Sequence, residues 1–168
     1  GVQTCALPIF KETDPILSTP VRAWSDGLGI DKKTLVKEML SYMIIKGGIG
    51  LAAPQIGLDL AVFVMGTAED SLALFNPRIV SVGKDNVVVQ EGCLSFPGLY
   101  LNVKRPSTVV VQYEDIEGKT QQKELKGLMA RVFLHEYDHL MGICFTVRVA
   151  NLSLKLAQGR RAKNLKKR

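Results

Sequence analysis

The sequence predicts an α+β fold, and three observations carry it: an apolar stripe at helical spacing over residues 35–44, a succession of β-rich segments between about residues 60 and 113, and a return of helical periodicity over residues 128–140. Several strands following one helix, with a second helix beyond them, give an α+β layout. At 168 residues and 46% hydrophobic content, the chain suits one domain spanning 1–168, large enough to bury a core without disulfide staples.

Asp31 is placed to cap the first helix, whose apolar positions Leu35, Val36, Met39, Leu40, Met43 and Ile44 return at three- and four-residue steps. Gly47 and Gly48 end it. The stretch GIGLAAPQIG, residues 48–57, holds three glycines and a proline and reads as a shaped loop that approaches a ligand. β-rich segments cover 60–65, 71–75, 87–90 and 108–113, with turns expected at Asn76-Pro77, Val82-Gly83 and Glu117-Gly118. In the second helix Leu128, Val132 and His139 fall broadly along one face, and Gly142 closes it. A short strand over 143–149 and a basic terminal helix from Asn151 are expected next, with Gly159 weakening the latter's continuation.

The formal charge of +6 is unevenly placed. Residues 151–168 carry seven Lys and Arg and no acid, so the first 150 residues set fifteen cations against all sixteen carboxylates. This segment reads as a solvated terminus or as a means of sitting near RNA or another anionic surface, without sequence-specific nucleic-acid recognition. Three cysteines, Cys5, Cys93 and Cys144, are too few for a disulfide framework and point to a reducing compartment or a metal role. Cys5 is given no function. No apolar run is long enough to cross a bilayer, and the opening lacks a secretory signal pattern, so a cytoplasmic protein is expected, an organellar matrix or stroma being compatible with the same residues.

Residues 135–139 read HEYDH, and both histidines of the chain lie in this motif. On a helix His135 and His139 present imidazoles from one side, while Glu136 lies where it can reach a metal-bound water. The bland alternative is an amphipathic helix with two incidental histidines. A structural metal site would close its shell with four protein ligands, whereas a catalytic one keeps a position for water. No Asp, Glu or His follows His139, so the third ligand is sought among the cysteines. Cys93, in EGCLS at the end of a β-rich run, is the stronger candidate; Cys144, in the apolar GICF stretch, suits a buried inert thiol. Cys93 as a covalent nucleophile would not explain two histidines at helical spacing plus Glu136.

GIGLAAPQIG at 48–57, EGCLS at 91–95 and HEYDHLMG at 135–142 together, in this order and spacing, resemble the peptide deformylase family. The resemblance implies partly wrapped β-sheets around a central HExxH helix, and removal of the N-terminal formyl group from formyl-methionine of nascent polypeptides. It implies Cys93, His135 and His139 as ligands of one divalent metal, Fe2+ natively, with Zn2+, Ni2+ or Co2+ able to occupy the same ligands. It further implies Glu136 as general base and acid, and Gln55 with the backbone N–H of Leu94 as donors to the developing oxyanion. Gln55 read alone could equally brace its loop, and Glu91 could pair with Arg105 or Arg131 or be solvated. Ile49, Val89, Leu128 and Val132 match positions that shape the methionine pocket, though an ordinary core would use them too. Leu134, Tyr100 and Cys144 depart from the common pattern. The basic terminal segment from about residue 151 resembles the ribosome-facing extension of some members. A general metallopeptidase and a metal-stabilised RNA-binding module are the alternatives; the first predicts cleavage of internal amides, the second four protein ligands.

Overall fold

The computed structural model describes residues 8–168; Cys5 lies outside them. Among these described residues seven strands form, β1 (Gly50–Ala52), β2 (Val62–Gly66), β3 (Ser71–Val82), β4 (Asn86–Cys93), β5 (Phe96–Pro106), β6 (Thr108–Glu114) and β7 (Thr120–Lys126). Three α-helices accompany them, α1 (Lys32–Ile45), α2 (Gly127–Leu140) and α3 (Asn151–Leu165). β1, β2, β3, β6 and β7 build an antiparallel five-stranded sheet in that order, and β4 with β5 makes a separate two-stranded hairpin. The expected α+β class holds, with the HExxH helix between the two sheets.

Asp31 caps α1 as expected, its carboxylate accepting from Thr34 N–H at 2.9 Å. α1 then covers one face of the main sheet, its Met39 and Met43 buried with Leu51, Val62, Val64 and Phe75. α2 covers the other face: Ala130 and Phe133 join Phe63, Leu74, Val109 and Val111, and the rings of Phe63 and Phe133 meet edge to face at 5.4 Å. α3 packs on the hairpin, burying Ala157 with Phe96, Leu99 and Phe145.

Three local expectations change. The turn at Asn76-Pro77 is a bulge within β3, where Asn76 takes φ +48° and its side chain bonds both backbone groups of Trp24, at 2.7 and 3.1 Å. Such a bulge accommodates a proline that a regular ladder would exclude. The strand expected over 143–149 is a single 3₁₀ turn, Phe145–Arg148, because Phe145 is buried against Phe96 while Arg148 is drawn back to Asp138. Gly159 does not end α3, which runs on to Leu165. β5 and its pairing with β4 were not among the β-rich segments expected from the sequence. Among the described residues no helix is long and apolar enough to cross a membrane.

Candidate metal centre

α2 divides its surface into three stripes, which follows from its period of 3.6 residues. Ala130 and Phe133 face the main sheet, Arg131 and Asp138 face the hairpin, and Leu128, Val132, His135 and Glu136 line a cavity of about 480 Å³ between them. The hairpin supplies the opposite wall. Its register shifts between Gly92 and Cys93, which turns the thiol toward the helix.

Donor atoms of Cys93, His135 and His139 all lie within 4.8 Å of one another. Sγ of Cys93 is 3.4 Å from Nε2 of His139, and the two imidazole rings meet nearly perpendicular with centroids 5.1 Å apart. Nδ1 of His135 lies 2.9 Å from a carboxylate oxygen of Glu91, so that nitrogen carries the proton and Nε2 keeps its lone pair for the centre. The residues fit a cation. Burial opposes the charge of His135, but the hydrogen bonds of Cys93 and Glu91 outweigh it and bring the ring up to about 10. Burial drives His139 the other way, well below the usual histidine range, leaving a neutral imidazole able to ligate. The site therefore draws positive charge: a divalent ion would take the place of the second proton on Nε2 of His135, and the three donors form a metal-coordinating cluster suited to it.

Glu136 is buried, and its Oε2 and Nδ1 of His139 are the buried side-chain polar atoms without a partner among the described residues. Burial raises the Glu136 carboxyl to about 7, against the pull of His135 and Arg105. Its other oxygen leans on β1: a Cβ at Gly50 would stand 2.5 Å from Oε1, so only glycine lets the carboxylate come this close. Gln55, in the 3₁₀ turn Ala53–Ile56, accepts from Ala52 N–H at 3.0 Å and donates from Nε2 to Ser95 Oγ at 3.2 Å and Cys93 Sγ at 3.5 Å. One end braces the loop, as one reading of this residue expected, and the other reaches the cluster at Cys93. Leu94 lines the cavity beside Cys93, its side chain resting on Gly48.

Behind the cluster lies an ionic network that the sequence left open. Glu91 accepts from Arg105 at 2.6 and 2.9 Å and from Arg131 at 2.6 Å, so it pairs with both of its candidate partners. Asp138 takes Arg105 at 2.9 Å and Arg148 at 2.6 Å. Burial would raise the Glu91 carboxyl, but hydrogen bonds from His135 and Arg105 bring it down to about 2. The roles of Asp138, Arg148 and Ser95 were not anticipated, although Asp138 stands inside HEYDH, three residues after His135.

Ile49, Leu128 and Val132 line the cavity as expected; Val89 is not among its lining residues and is partly exposed on β4. Cys144 is half-buried beside the carbonyl of Leu17 and stands outside the cluster; burial, with smaller contributions from Cys93 and Asp138, pushes its thiol up to about 11.

Comparison with known proteins agrees with this geometry. A peptide deformylase of Prochlorococcus marinus (strain MIT 9515) is 38% identical over 155 residues, covering 89% of this chain and 76% of its own length. A chloroplastic peptide deformylase 1B of Oryza sativa subsp. japonica is 39% identical over 152 residues, 86% of this chain and 55% of that protein. The crystal structure of a peptide deformylase from Synechococcus elongatus in complex with actinonin superposes with a TM-score of 0.86 at 38% identity, covering 93% of this chain and 86% of that one. Residues 6–155 match the family described as polypeptide deformylase, and with the Cys93, His135 and His139 cluster in place the chain belongs to that family.

Proposed function

We propose that this chain is a metal-dependent amide hydrolase that removes the formyl group from N-formylmethionyl peptides and releases formate. The observation that carries the reading is the convergence of a three-donor cluster, whose Cys93 and His135 line the cavity, with a buried carboxylate that keeps a free oxygen. Cys93, His135 and His139 would hold one divalent ion, ferrous iron being the native candidate, with zinc, nickel or cobalt accepted by the same thiolate and imidazoles. Such an ion supplies Lewis acidity and lowers the pKa of water.

The chain's own groups do the rest. Glu136 takes the proton of the attacking water on Oε2 and returns it to the departing amine, which suits a carboxyl raised to about 7. Nε2 of Gln55 and the N–H of Leu94 donate to the formyl oxygen as negative charge gathers on it. Ile49, Leu128 and Val132 receive the methionine side chain. The whole of 1–168 acts as one catalytic domain, and the basic α3 favours association with an anionic surface such as the ribosome, without reading nucleic-acid sequence. A cytoplasmic setting suits nascent chains, and a chloroplastic relative makes an organellar stroma compatible.

Anaerobic metal analysis with a formate assay on formyl-methionyl peptides tests the reading. One divalent ion per chain and formate release are expected; cleavage only at internal amide bonds would replace it with a general peptidase.

A further inference from the structure

Arg161 is set apart from the other cations of the C-terminal segment. Leu154, Ala157 and Arg161 recur at three- and four-residue steps along α3, and this side packs on β5. The stem of Arg161 passes Gly98, where an added Cβ would lie 3.6 Å from Cγ. Its Nη2 donates to Glu12 Oε1 at 2.9 Å, and the two side chains keep only 20% and 32% of their exposure. Glu12 belongs to an N-terminal strap that crosses both loops of the candidate site. Phe10 N–H donates to the carbonyl of Gln55 at 2.8 Å, and Glu12 N–H donates to the carbonyl of Ser95 at 3.1 Å. The Phe10 ring presses on Gly57, which takes φ +85° and where a Cβ would lie 2.5 Å from Cε2. The strap thus bonds the main chain of Gln55 and of the residue that follows Leu94.

We propose that Arg161 and Glu12 are positioning residues, which hold the strap so that the Gln55 side chain and the Leu94 N–H meet one oxygen. This rests on the deformylase reading above. Donors aimed at a developing charge act mainly in the transition state, so slack in the strap lowers kcat and leaves KM nearly untouched.

The test uses the metal-loaded full chain. Arg161→Ala and Glu12→Ala should each speed hydrogen exchange of the Glu12 amide and lower kcat about three- to tenfold, with KM moved less than about twofold. The double variant should be no slower than the slower single one, because both cut the same link. Arg160→Ala removes the same charge from an exposed neighbouring position and should change neither readout. Arg161→Lys, which keeps a cation, should recover part of both. If Arg161→Ala does not fold, Arg161→Lys and Glu12→Gln provide the same comparison. Unchanged exchange at Glu12, additive losses, or an equal effect of Arg160→Ala would overturn the proposal. If the unaltered chain releases no formate, the functional reading fails, and the exchange data alone then decide whether Arg161 holds the strap.

Discussion

The two sides of α2 hold the same helix by different physics. Toward the main sheet, Ala130 and Phe133 are buried among Phe63, Leu74, Val109 and Val111, contacts that are strong in sum but indifferent to small rotations. Toward the hairpin, Arg131, His135 and Asp138 are fixed by hydrogen bonds to Glu91, Arg105 and Arg148 that tolerate little displacement. Apolar packing thus places the helix, and the ionic side sets its angle about its axis, which is what aims two imidazoles at one point. A buried Phe contributes roughly 1.5–3 kcal/mol, whereas a buried ion pair is often no better than an apolar isostere in stability. Its value here lies in direction.

The largest effect should come from the stripe between these sides. Glu136→Gln keeps the size of the group but removes the proton carrier, so formate release should fall about 10²- to 10⁴-fold while metal content and thermal unfolding stay near native. Near-native turnover would remove Glu136 from the chemistry.

Next comes the hairpin's contribution to the centre. Cys93→Ser should lose metal or alter the spectrum of a cobalt-substituted sample, and Cys144→Ser should do neither, since Cys144 is outside the cluster. Equal metal content and identical spectra in both variants would break the assignment.

Glu91→Gln against Phe133→Leu sharpens the contrast directly. Glu91→Gln should weaken metal affinity about 10- to 100-fold and leave two arginines short of charge. Phe133→Leu should lower stability with metal affinity nearly kept. The acid response should differ as well: the folded-state pKa of Glu91 is lowered to about 2 from 4.5, so its stabilisation is present above about 4.5 and lost as pH falls toward 2. Chemical denaturation of the metal-free protein across that window should give a flatter curve for Glu91→Gln. Parallel curves would place the acid sensitivity elsewhere.

The smallest effect should follow removal of residues 162–168. This cut spares Arg161 and all the proposed site groups, so turnover of a short formylated peptide should stay near native while salt-sensitive ribosome binding falls. A large loss on the short peptide with the fold intact would place catalytic support beyond Arg161.

How much of this was legible follows from range. The HEYDH spacing is local, so the His135 and His139 pair could be read from helix geometry, and Asp31 announced its cap in the same way. Cys93 was legible because no acid or histidine follows His139 and, of the cysteines, it alone ends a β-rich run. The network was not, since Glu91 meets Arg131 across forty residues of sequence and nothing local distinguishes two partners from one. β5 alternates buried and exposed positions from Leu99 to Arg105, but Pro97 and Gly98 at its start hid the strand. β7, TQQKELK, buries only Leu125 and carries no apolar period to read. The 3₁₀ turn Phe145–Arg148 was misread as a strand because tertiary partners, Phe96 and Asp138, decide its course.

The closeness of Gly50 to Glu136 also bears on how this protein can change. A methyl group is the smallest addition mutation can offer, and position 50 has no room for it without moving the carboxylate. The floor of the cavity is therefore closed to gradual adaptation. Leu128 at the rim, 62% exposed, can gain or lose volume without disturbing either sheet. Selection for a different N-terminal side chain would reach that position first, and a library that randomises 128 while fixing 50 should yield active variants far more often than the reverse.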